Sequence, residues 1–177
     1  MFLDDVVPGD EEFGLGDITQ SFFFSPTPKG EFIWAVGPVA LIPTATGDTL
    51  GSGKLGLGPT VLGLIQHKHR TVGMLANHVW SVVGDDDRPE LSSTFIQPFV
   101  AYNTKSAWTF TLNSESTYDW NHEQWSVPIN GLVSKLFHIG KQPISIGGGV
   151  RYWAESPDGG PEGFGGRLVI TLLFPKK

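Results

Sequence analysis

From Trp108 to Trp120 the chain reads WTFTLNSESTYDW, and no stretch restricts the fold more. Trp108, Phe110, Leu112, Tyr118 and Trp120 share one parity; Thr109, Thr111, Asn113, Glu115, Thr117 and Asp119 share the other. Side chains of a strand alternate between faces, so the segment predicts a strand with one apolar and one fully polar face. A soluble sandwich would turn the apolar face inward. A membrane barrel turns it toward lipid, sets aromatics at the two headgroup levels and keeps the polar face toward a wet lumen.

The same pattern recurs. Ile144, Ile146, Val150, Tyr152 and Ala154 alternate with Ser145, Arg151, Trp153 and Glu155; Leu168, Ile170, Leu172 and Phe174 alternate with Arg167, Val169, Thr171 and Leu173. Trp125, Val127, Ile129 and Val133 oppose Ser126, Asn130 and Ser134. Between Phe32 and Pro43, and from Met74 to Trp80, both parities are mixed. Turn signals divide the chain into strands near 15–25, 31–43, 54–66, 70–83, 93–103, 107–119, 124–137, 141–155 and 164–174. Most match or exceed the ~9–11 residues that a tilted membrane strand needs. The expected fold is therefore all-β: an antiparallel up-and-down meander of about 8–9 strands forming a transmembrane β-barrel over 14–177, with an acidic N-terminal tail at 1–13.

Connections support this. The links near Pro26–Gly30, His67–Arg70, Asn103–Ser106 and His138–Lys141 are short and carry Lys29, Lys68, Arg70, Lys105 and Lys141. Those at Thr44–Gly53, Gly84–Ser92, Trp120–Glu123 and Ser156–Gly163 are mostly longer, and are acidic through Asp48, Asp85, Asp86, Asp87, Glu90, Glu123, Asp158 and Glu162. Outer-membrane barrels have short periplasmic turns and longer outside loops. Against the barrel stand Pro38, Pro59, Pro98, Pro128 and Pro143, each removing a ladder donor inside an expected strand, so bulges or kinks are required.

Composition excludes several functions. The 23 glycines suit a small, tightly curved barrel, and the net charge of −6 with no basic cluster argues against nucleic acid. With no cysteine there are no disulfides and no thiolate-held metals. No run of about 18 apolar residues predicts a membrane helix. The start, MFLDDVVPGDEE, is not a secretory leader. Counting strands back from the C-terminus puts the first one's start on the outer side, whereas an even-stranded bacterial barrel has both termini periplasmic. The expectation is a longer natural protein with a leader and further strands; an eight-stranded barrel or one shared among chains are the alternatives.

The residues GLGDI at 14–18, IWAVGPVALIPTAT at 33–46, ANHVWS at 76–81, GDDDR at 84–88, FIQPF at 95–99, ESTYDW at 115–120 and RYWAESPDGGP at 151–161 go further. Together they resemble the Gram-negative outer-membrane proteins assigned to transport in the phenol meta-cleavage pathway, some of which carry the label neuromedin U. The resemblance runs from residue 14 to the C-terminus, over the family's later two-thirds. It implies a location in the bacterial outer membrane, with lipid and the barrel-assembly machinery as partners. It also implies passage of small, often hydrophobic or aromatic, molecules.

No enzymatic set emerges. Glu115 and Asp119 lie about 13 Å apart along one strand, too far for a glycosidase pair. His67 and His69 lack a third metal ligand, and the Asp85–Asp87 run reads as an acidic loop rather than a calcium site. Gly147–Gly149 precedes no helix, and no nucleophile–base–acid set appears. The chain is expected to be non-enzymatic, without cofactor or metal. Its expected lumen is lined by Asp17, Thr111, Asn113, Glu115, Thr117, Asp119, Asn130, Arg151, Trp153, Glu155 and Arg167, with the other tryptophans in the girdle. The competing expectation is a soluble up-and-down barrel holding a small hydrophobic ligand, with Phe110, Leu112, Ile144, Ile146, Ile170 and Leu172 inside.

Overall fold

The computed structural model describes residues 15–47, 51–84, 87–140 and 142–174. The tail at 1–13, Asp48, Asp85, Asp86 and Lys141 lie outside them. Ten strands form one antiparallel sheet: β1 (Ile18–Ser21), β2 (Phe32–Ile42), β3 (Lys54–His67), β4 (Arg70–Gly84), β5 (Ser92–Asn103), β6 (Trp108–Ser114), β7 (Ser116–Asp119), β8 (Gln124–Ile139), β9 (Gln142–Glu155) and β10 (Gly163–Leu172). Each pairs with its neighbour in sequence, as a meander should, except that β7 continues the line of β6 between β5 and β8. The edges are β1 and β10; among the described residues they do not pair with each other.

Two expected strands come out differently. The stretch expected as strand 15–25 reduces to β1 plus an isolated bridge between Phe24 and Val36. The 107–119 strand is interrupted at Glu115, yet keeps its register: Phe99 pairs Asn113 and Ile96 pairs Ser116 on one side, while Ser114 pairs Ile129 and Thr117 pairs Ser126 on the other. The alternation therefore survives the gap. Its cause is proline. Glu115 N–H donates to the Pro128 carbonyl at 3.1 Å, but Pro128 has no N–H to return. The register also sets Pro98 opposite Ser114, so two successive carbonyls of this stave face prolines, one on each side.

Pro38 and Pro59 are handled by a different device, used twice. They stand opposite each other across β2 and β3. Pro38 accepts from Phe22 N–H at 2.9 Å, so it is turned toward β1 and Pro59 toward β4. Each leaves a carbonyl across the ladder, Phe22's or His78's, without its donor. In both cases that carbonyl moves into the space where the preceding glycine, Gly37 or Gly58, would carry a Cβ. Gly-Pro thus acts as a unit that keeps a donor-free residue inside a long strand.

The sheet curls toward its polar face. Thr19 on β1 and Thr117 on β7 line one cavity of about 310 Å³. Five strand spacings separate them, about 24 Å on a flat sheet. Arg167 on β10 reaches Glu115 from three strands away, at 2.7 Å. Both contacts need that face concave. The buried side chains among the described residues, Ala35, Val39, Lys54, Thr60, Val79, Pro128 and Asn130, share its parity.

Candidate functional site

Most of the apolar residues face outward. Leu112 is 53% exposed, Ile146 43% and Ile170 62%, while Asn130 is 0% exposed. Exposed Leu112, Ile146 and Ile170 and buried Asn130 thus lie on opposite faces of one sheet.

On the concave face the junction of β6 and β7, with β8, β9 and β10, brings Glu115, Asn130, Arg151 and Arg167 together. Arg167 Nη1 donates to Glu115 Oε1 at 2.7 Å, and Arg151 Nη2 pairs with Glu115 Oε2. Arg151 Nε donates to Asn130 Oδ1 at 2.7 Å, and Gln97 Nε2 approaches Glu115 Oε1 at 3.5 Å. One carboxylate is thus shared by two guanidiniums. The ladder brings them near: Asn113, two residues from Glu115, pairs Asn130, Asn130 pairs Arg151, and Arg167 pairs Gly149, two residues from Arg151. Asn130 Nδ2 and Asn113 Oδ1 are buried without a partner. The Arg151 guanidinium lies 5.5 Å from the Trp153 ring. Thr111 and Thr117 have the same parity, and Thr117 borders the 310 Å³ cavity with Leu41, Asn77, Val79 and Phe95.

Of the expected lining residues, Asp17 and Asp119 are bound into links at strand ends and Glu155 is turned by a bulge. Asp17 precedes β1 and ties down the 44–53 link: its carboxylate accepts from Ala45 N–H at 3.2 Å and from Ser52 N–H and Oγ at 2.7 Å each. Burial by itself would raise its pKa, but the hydrogen bonds from Ser52, Ala45 and Thr44 outweigh it and hold the carboxyl below its ordinary 3.8. The sign follows: this anchoring is fully present above the unfolded value and is lost as pH falls through the lower folded one. A carbon-13 titration of the Asp17 carboxyl should give a midpoint below 3.8, the ordinary value; a midpoint at or above it overturns this account. Asp119 caps the link to β8, accepting from Asn121 N–H at 2.8 Å and holding His122 Nδ1 at 2.8 Å. Glu155 is displaced by a bulge: the register shifts between Val127 and Pro128, placing Glu155 opposite Val127, which has the parity of outward Ile129.

Sequence reasoning missed Gln97, Phe95 and Phe99, which face inward opposite Leu75, Asn77 and Gly73. Both faces of β5 are largely apolar, so its parity carried no sign; Gln97 was the one usable signal.

The outer face has a layered order. Toward the long-loop end it carries Trp80, Tyr118, Trp120, Trp125, Tyr152 and Phe164, with the Tyr118 ring 4.9 Å from Trp120, edge to face, and 4.9 Å from Trp125, and Tyr152 4.9 Å from Phe164. Toward the short-turn end stand Phe32, Trp34, Tyr102, Trp108 and Phe137. Lys135, outward beside this second row, sits 5.0 Å from the Trp108 ring and 5.6 Å from that of Phe137. Val36, Val61, Met74, Val100, Leu112, Ile129 and Val150 fill the band between. From Trp125 to Phe137 along β8 is about 40 Å, which a tilt near 45° reduces to about 28 Å of height. Histidines, aspartates and glutamates form no group of three able to hold a metal among the described residues. Compared with protein-family models, curated proteins and solved structures, the chain matches none of them.

Proposed function

We propose that this sheet is the wall of a bacterial outer-membrane β-barrel that lets small molecules pass along its polar interior, without catalysis. One observation carries the reading: the charge and amide groups at strand centres are gathered on the concave face, while most large apolar side chains, though not Val39, Val79, Phe95 or Phe99, face out. Soluble proteins rarely expose contiguous apolar patches beyond a few hundred Å², because each such patch costs hydration free energy. In lipid that cost disappears. The band between the aromatic rows has about the height, ~25 Å, of the apolar belt of such barrels, and Tyr and Trp belong at its margins. Lys135 fits the same picture, its stem along apolar surface and its ammonium at the rim beside aromatic rings. Lipid and the barrel-assembly machinery are the partners this entails.

The soluble alternative needs the opposite arrangement, with Phe110, Leu112, Ile144, Ile146, Ile170 and Leu172 inside; five of the six are exposed and Ile144 is half-buried. Small aromatic or hydrophobic permeants agree with the inward Phe95, Phe99 and Trp153. Purified protein is expected to require detergent and to migrate differently on gels before and after boiling, as folded barrels do. A monodisperse monomer in plain buffer would overturn the reading.

A further inference from the structure

We propose that the cluster of Glu115, Arg151 and Arg167 is a filter selective for small organic anions, carboxylates above all; this rests on the barrel reading of the preceding section. Within the concave wall these three are the only mid-strand charges among the described residues. Lys54 pairs with Glu90 at 3.7 Å near the long-loop end, Asp17 and Asp119 are bound into their own links, and Lys135 faces outward. Two guanidiniums against one carboxylate leave one positive charge in excess at this level. Partial burial of these side chains amplifies that excess, because charge is less screened there than in bulk water.

The donors also exceed the acceptors. Both Glu115 oxygens are already taken, Oε1 by Arg167 and Oε2 by Arg151. Each guanidinium carries five N–H groups in a planar fork matched to a carboxylate. Among the described residues, only Nε and Nη2 of Arg151, and Nη1 of Arg167, have protein partners. The Nδ2 of Asn130, on a side chain 0% exposed, adds a further donor with no partner beside them. An arriving carboxylate can take over one fork from Glu115 and use the idle donors. The neighbouring cavity supplies the other half of the recognition. It begins at Thr117, two residues from Glu115 on the same face, and Leu41, Val79 and Phe95 give it apolar walls. Its volume of about 310 Å³ is at the small end of ligand pockets, enough for a single-ring acid such as benzoate.

The experiment uses the whole chain, refolded in detergent and checked first for a heat-dependent gel shift. Absence of that shift rejects the barrel itself. With the barrel established, reversal potentials in a potassium chloride gradient across a planar bilayer should show anion preference. Glu115→Gln should raise that preference severalfold, and the double variant Arg151→Gln/Arg167→Gln should reverse it. In parallel, sodium benzoate should quench tryptophan fluorescence, the effect falling sharply in Trp153→Phe and in the double variant. A folded barrel that prefers cations, or whose preference ignores all three substitutions, overturns the filter. A folded barrel that does not conduct is decided by the benzoate titration alone: saturable quenching that disappears with the arginines supports the filter, and its absence rejects it.

Discussion

Replacing Leu112 by arginine is expected to destabilise the protein in lipid by about 2–4 kcal/mol, the usual cost of a basic side chain on the lipid face near a barrel's midplane. Leu112 is 53% exposed and lies between the two aromatic rows. In water such a surface change is normally worth no more than about ±0.5 kcal/mol. The substitution therefore distinguishes the two solvents. Urea unfolding in phospholipid vesicles, together with the unboiled folded fraction on gels, gives the measurement. A midpoint unchanged from wild type would mean that Leu112 faces water, and the membrane reading would fall with it.

The second large effect concerns Gly58. A methyl group there would overlap the backbone carbonyl oxygen of His78, and no rotamer change can relieve a clash with backbone. Gly58→Ala should cost about 3 kcal/mol or more, at or beyond the upper end of ordinary overpacking. The carbonyl occupies that space because Pro59 has no N–H to draw it back into the ladder. Gly58→Ala combined with Pro59→Thr should therefore recover much of the loss, an interaction between neighbours that a thermodynamic cycle would show as strong non-additivity. Gly37 and Pro38 should behave alike through the Phe22 carbonyl. If Gly58→Ala alone is tolerated, the account of how the prolines fit is wrong.

Strand positions were legible wherever turn residues and clean alternation coincided, as from Trp125 to Phe137 and from Gln142 to Glu155. Charge and amide groups at strand centres were equally legible, because Glu115, Asn130, Arg151 and Arg167 have no nearby loop to bind them. Polar residues at strand ends were not. The side chains of Asp17 and Asp119 are short enough to bond the adjacent link, so local geometry claims them before the interior can. Parity failed at Glu155 because one extra residue at a bulge reverses every face beyond it. It was silent along β5, where Phe95, Ile96, Phe99 and Val100 make both faces look alike.

The interruption at Glu115 also bears on motion. Ser114 and Glu115 form a joint with fewer cross-ties than the rest of the stave, so local opening should start there, and amide exchange near it should be faster than in the flanking β6 and β7. Glu115, the carboxylate that an incoming acid is proposed to displace, is mounted on that joint. Two prolines on neighbouring strands, Pro98 and Pro128, should thus act as a hinge beside the Glu115, Arg151 and Arg167 cluster.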